Sequence, residues 1–272
     1  MIFTTLFQLI KLDYKNTYYH PISLVGVVLS TFLGLSIYWY TSLAFAPALN
    51  KDLSFYGSNL FSYILIGELT ILIPTHLFTQ MCTKMKLSIQ NGTFESFVLS
   101  PQTLPTSILM LGSSGLGKEY VRYFFTLILA TLFFSLKLNS IHFIMVLGIQ
   151  LLVLPAFAGL GFAACSLLLL TGRGESITSY ISMILCIFAG VYFPMEVFPT
   201  FIQKWSYYLS PFNIFLKVSR DVLYQGASSP ILKSGIGILL FWDVILLSFG
   251  YILLKKSFQL AQIKGLNRPI TA

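Results

Sequence analysis

Six stretches of this chain are apolar over about the 20 residues that a helix needs to cross the hydrocarbon of a bilayer, and Lys and Arg gather in the links between them. That feature leaves few folds open. Inside hydrocarbon each backbone N–H and C=O must be paired within the protein, so a long apolar run is read as a helix. The runs are Ile22 to Ala46, Leu60 to Met81, one centred on Tyr120 to Leu136 with a start as early as Ser107, Ile141 to Leu170, Ile177 to Val197, and Gly235 to Leu254. Pro155, Gly159 and Gly161 are where the long fourth run is expected to bend.

Charge is too scarce for a soluble surface. Only 10% of the 272 residues are charged and 56% are hydrophobic, against about 25% charged in soluble domains. A soluble enzyme is excluded on that ground. The net charge of +8 is carried mostly between apolar runs, so it reads as membrane topology and not as a nucleic-acid surface. Six crossings place both termini on one side. That side holds Lys11, Lys15, Lys84, Lys86, Lys118, Arg122, Arg173, Lys255, Lys256, Lys264 and Arg268, eleven cations against six on the other. Four of those six (Lys204, Lys217, Arg220, Lys233) lie in the long link between the fifth and sixth runs, where charge counts less. Both termini are therefore expected in the cytoplasm, and the chain in the inner (cytoplasmic) cell membrane.

Phe3, Leu6, Phe7, Ile10 and Tyr14 share one helical face, with Lys11, Asp13 and Lys15 off it. Residues 1–20 are read as an amphipathic helix lying in the membrane interface, ended by Pro21. Lysines and Asp13 within the pattern, and no small-residue cleavage site, argue against a cleavable signal. Residues 21–272 are read as one membrane domain. The expected fold is an all-α polytopic membrane protein: six transmembrane helices, the interfacial N-terminal helix, and short re-entrant helices between spans five and six.

Two links are more specific than topology demands. In the link after the second run, Thr93 is placed to cap a short helix over about 91–100 in which Phe94, Phe97 and Val98 share a face. Glu95 stands in the first turn, where a negative charge suits the helix dipole, and Pro101 ends the helix. Two readings fit it: an ordinary interfacial loop helix, or a coupling helix that docks into a cytoplasmic partner. In the link after the fifth run, about 194–226, Pro194, Pro199 and Pro211 break the pattern, and Tyr192, Trp205, Tyr207 and Tyr208 suit a lipid–water boundary. It is too polar for a span and too aromatic for a free loop, which points to helices dipping back into the outer leaflet.

Together the two links resemble the permease subunit of ABC exporters of the second exporter class, a family of drug, polysaccharide and lipid exporters. The first is similar to the family's coupling region, here Gly92-Thr93-Phe94-Glu95 followed by Pro101. The second is similar to its signature, here Gly190, Pro194, Pro199, Pro211-Phe212 and Arg220. Ile214 departs from it, at a place where members often carry a polar or aromatic residue. The resemblance implies a homodimer of permeases, each docking one ATP-binding subunit through residues Asn91 to Leu99, with a second contact at the N-terminal helix. ATP and Mg then belong to the partner, and this chain carries no cofactor and no catalytic residue. The implied cargo is an amphipathic, lipid-like or glycan substrate exported by alternating access.

Other signals carry less. Gly112 to Lys118 matches most of a phosphate-binding loop, but Glu119 stands where that loop needs Ser or Thr for magnesium, and no strand precedes it. Glu68 and Asp243 fall inside the second and sixth runs. A charge there costs about 2.5–3.5 kcal/mol, so each is either a pathway group or a buried hydrogen-bonding partner. The runner-up reading is an ion-coupled carrier or channel using these two acids. His20, His76 and His142 form no ligand set, and Cys82, Cys165 and Cys186 are far apart, so no metal site or disulfide framework is expected. A membrane-embedded enzyme ranks last, because no nucleophile and base share a helical spacing.

Overall fold

In the computed structural model, the described residues are 7–11, 21–53, 59–99, 101–134, 136, 139–172, 174–201, 203, 206, 211–226 and 231–263. Every regular element among them is helical. In chain order these are α1 (Pro21–Leu53), α2 (Leu60–Gln90), α3 (Phe94–Val98), α4 (Leu104–Ser113), α5 (Leu116–Phe134), α6 (Ser140–Thr171), α7 (Gly174–Phe188), α8 (Pro211–Gln225) and α9 (Ile231–Ile263), with a 3₁₀ turn at Met195–Val197 before α8. Residues 7–11 form a short helical stretch. The rest of the interfacial helix expected over 1–20 lies outside the described residues, as do Trp205, Tyr207, Tyr208 and the side chains of Phe97, Val98 and Glu196.

Among the described residues four helices are long and apolar enough to cross a membrane: Val25–Phe45 within α1, then α2, α6 and α9. Their placement matches four of the six predicted runs. The third and fifth runs differ. The third is split at Ser114-Gly115 into α4 and α5, and α5 carries Lys118, Glu119 and Arg122 in its first two turns. The fifth stops early. Helix α7 has 15 residues, about 22 Å at 1.5 Å per residue, against a hydrocarbon thickness of about 30 Å. It ends at Phe188 although the sequence carries no charge until Glu196.

The stop has a local cause. Gly190 takes φ +77°, its N–H bonds the Ile187 carbonyl at 3.1 Å, and the Val191 N–H bonds the Cys186 carbonyl at 3.2 Å. This pair of bonds is a Schellman motif, which needs a left-handed residue after the helix and so favours glycine. Helix α2 ends the same way. Gly92 has φ +70°, with Gly92 N–H to Ile89 O at 3.2 Å and Thr93 N–H to Ser88 O at 2.9 Å.

Helix α2 is the hub, packed against α1 and against α3 through α8. Its most apolar window is 72% buried, whereas those of α1 and α9 are 17% buried, which leaves apolar surface of that outer pair exposed, as suits a membrane protein. Lipid supplies no hydrophobic drive between helices, so close van der Waals packing must hold them together. Glycine provides it where α6 meets α9: a Cβ on Gly159 would strike the Leu246 backbone, and one on Gly250 would strike the Gly159 carbonyl. Pro155 lies within α6, which continues unbroken to Thr171.

Candidate functional site

The short helix α3 hangs from the Gln90 end of α2. The Thr93 hydroxyl donates back to the Ser88 carbonyl at 3.2 Å, so it closes α2, whereas the sequence places it as the N-cap of α3. The reason is the Schellman turn at Gly92, which brings residue 93 over the orphan carbonyls of α2. Phe94 is buried and joins the main core; it anchors α3 and is not offered to a partner. Glu95, Ser96 and Leu99 are exposed, Leu99 at 85%. Pro101 follows as an exposed bend before α4.

Two ties brace α2 at this end. Lys86 pairs with Glu175 at the start of α7, Nζ to Oε2 2.5 Å, and Thr83 donates to the other oxygen of Glu175 at 3.4 Å. Lys84 donates to Ser114 Oγ at 2.6 Å, in the break between α4 and α5. The stretch that resembles a phosphate loop is this helix break. Gly112 there leaves room for Met81, against which a Cβ would collide, so its role is packing.

At the Leu60 end of α2 the signature residues converge. Arg220 on α8 is 3% exposed. Its Nη1 donates to Gly190 O at 2.9 Å, and its Nη2 donates to Val191 O at 3.0 Å and Tyr63 O at 3.1 Å. The guanidinium lies 3.6 Å over the centroid of the Tyr63 ring, a cation–π contact, and the Tyr63 hydroxyl donates to Gly190 O at 3.1 Å. Gly67 makes this possible, because a Cβ there would meet Arg220 Nη2. One buried cation thus binds the carbonyls left open at the end of α7 to the side of α2. Ser206 adds a bond to Phe188 O at 2.6 Å and accepts one from Asn213 at 2.8 Å. Pro211 opens α8, where a missing N–H costs nothing, and Phe212 packs edge-on to Phe157 of α6 at 4.5 Å. Pro194 is buried at the start of the 3₁₀ turn and Pro199 is exposed beyond it.

The two acids inside the helices have different surroundings. Asp243 Oδ1 accepts the Ala156 N–H at 3.0 Å. Ala156 follows Pro155, whose ring disturbs the local helix ladder, so the carboxyl takes up a backbone donor beside the proline. Glu68 Oε2 accepts from the Tyr192 hydroxyl at 3.2 Å. Its carboxyl also faces a crevice of about 70 Å³ between α1, α2 and α5, shared with Tyr38 and Arg122.

No known family model matches the chain, and no curated protein matches it. Sequence reasoning named Gly190 and Arg220 and the structure brings them together; it missed Tyr63 and Gly67, which complete the junction. It also missed the link between His76 and Glu119. His76 Nδ1 lies 3.6 Å from Glu119 Oε1, and Arg122 Nη1 lies 3.8 Å from Oε2. The signal was present, since charged residues in apolar helices usually have partners, but their positions are 43 apart and nothing in either run points to the other. Among the described residues no group of His, Cys, Asp and Glu is arranged to hold a metal ion.

Proposed function

We propose that the chain is the membrane-spanning permease subunit of an ATP-driven ABC exporter, working as a homodimer with two separate ATP-binding subunits that carry the ATP and Mg. In this reading α4 with α5 makes the third crossing. Helix α7 with the segment to Phe193 makes the fifth, which brings the count to six. The 3₁₀ turn and α8 are re-entrant elements of the outer leaflet, and both termini and α3 lie in the cytoplasm of the cell membrane. The cargo is an amphipathic, lipid-like or glycan molecule leaving the cytoplasm or inner leaflet.

One observation carries the reading: a short helix with an exposed acid is fixed by a glycine cap and a buried Phe94 to one end of the most buried helix. A push on α3 therefore acts on α2 directly. The same helix is clamped to α7 by Lys86–Glu175 at that end and by Arg220 at the other. A rigid lever with contacts at both ends suits alternating access, in which one end opens as the other closes. In this reading Asp243 braces the helix beside Pro155 through its backbone bond, and Glu68 keeps a place on a pathway.

The test is recovery of an ATP-binding chain with tagged permease in mild detergent. Native protein is expected to retain it, and Glu95→Arg to lower its recovery several-fold with an unchanged size-exclusion profile. Transport driven by a proton gradient with no ATP-binding partner would contradict the reading.

A further inference from the structure

The crevice between α1, α2 and α5 is lined by Ser30, Thr31, Tyr38, Glu68, Arg122 and Thr126. Its volume of about 70 Å³ is room for a few water-sized groups and well short of a drug-sized site. It contains one acid and one base, and among the described residues no ion pair joins the two. Glu68 gives one oxygen to Tyr192. The other has no protein donor among the described residues. Among the described residues Arg122 makes a 3.8 Å approach to Glu119, and its side chain is 45% exposed, so N–H donors of its guanidinium face the crevice's open side. Around the crevice, α1 and α5 turn large apolar side chains outward: Leu33, Val121, Ile128 and Leu132 are all about half exposed or more.

We propose that this crevice binds the headgroup of a zwitterionic membrane lipid, with Arg122 on the phosphate and Glu68 on the ammonium, while the acyl chains stay outside along α1 and α5. A guanidinium matches a phosphate in a bidentate fork, and an ammonium gives the Glu68 carboxylate the counter-ion that a charge inside a membrane needs. An anionic headgroup lacks the ammonium, and a neutral sugar offers neither ion. The crevice has room for the charged groups of a headgroup and not for a whole lipid, and the exposed apolar rim favours a lipid over a water-soluble zwitterion. As an assignment of the exporter's substrate class, this rests on the permease reading; as a binding site it does not.

The experiment uses the purified full chain, without any ATP-binding partner, in micelles supplemented with equal amounts of phosphatidylethanolamine and phosphatidylglycerol. Retained lipid is quantified by mass spectrometry. The expected result is roughly fivefold enrichment of phosphatidylethanolamine, the discrimination of about one charge-assisted contact. Glu68→Gln is expected to remove the preference between the two lipids, and Arg122→Gln to lower retention of both. A Cβ on Gly34, which also lines the crevice, meets nothing within 4 Å, so Gly34→Leu fills the space without a built-in clash and is expected to lower retention in a folded protein. Retention equal to the bulk mixture, or enrichment that survives Glu68→Gln and Gly34→Leu, overturns the site. Full displacement of bound lipid by millimolar phosphoethanolamine overturns the lipid and leaves a soluble ligand. None of these outcomes moves the Glu95 pull-down, so the two proposals fail separately.

Discussion

A methyl group at position 190 would have to sit on backbone with φ +77°, where an L side chain costs about 1–2 kcal/mol. Gly190→Ala is therefore expected to lower stability by that amount, read as a fall in the thermal midpoint of detergent-purified protein. The same change at Gly148, where a Cβ meets nothing within 4 Å, should not. Arg220 makes a sharper case. Lysine keeps the charge but loses the planar fork that binds three carbonyls, so Arg220→Lys should cost about 2–4 kcal/mol, the order expected when buried acceptors lose their donors. Asp221, its neighbour on α8, is buried. Burial pushes its carboxyl above the usual range, and Lys217 pulls only part of the way back. A carboxyl raised in the folded state favours folding below its unfolded pKa, and that gain is lost as pH rises through the folded value. Asp221→Asn should thus stabilise the protein at pH 7 and make no difference near pH 3, as thermal melts at the two pH values will show. Gly190, Phe212 and Arg220 were legible as motif residues. Their meeting point was not, because the acceptors are backbone carbonyls that any residue could supply.

At the scale of elements, hydropathy located α1, α2, α6 and α9 because burial in lipid is a property of composition. It overran α7, since Ala189 to Met195 carries no charge while the helix is ended by one dihedral angle. It centred the third run on Tyr120 to Leu136, close to α5, and did not separate α4, because a hydropathy window averages over the small residues of the break at Ser114-Gly115. Helix α3 was legible as a short helix, but which of its residues point inward was not: Phe94 joins a core built mainly from α2, α6 and α8. Phe94→Ala is expected to cost about 3 kcal/mol, as for other buried Phe truncations, and to weaken partner recovery by loosening α3. Ser96→Ala, at an exposed position, should do neither. The tie between α2 and α7 can be read by a charge exchange. Lys86→Glu alone should impair transport, and Lys86→Glu with Glu175→Lys should restore part of it, because the pair is only partly exposed and lies at the joint that α3 is expected to move.

For the whole molecule, the charge distribution and the four long helices agree on a polytopic membrane protein. The proposed six-crossing topology would set α3 in the cytoplasm and Asn139, at the start of α6, outside. That arrangement decides whether an ATP-binding subunit can reach Glu95 at all. The direct measurement is cysteine accessibility in sealed vesicles of known orientation. Glu95→Cys and Asn139→Cys are each introduced singly with Cys186→Ser, since Cys82 and Cys165 are buried. The expected result is labelling of position 95 by a membrane-impermeant maleimide only from the cytoplasmic face, with protection when the ATP-binding subunit is bound, and labelling of position 139 only from the opposite face. Labelling of position 95 from the outside, or full reactivity there in the assembled complex, would contradict a permease driven through α3.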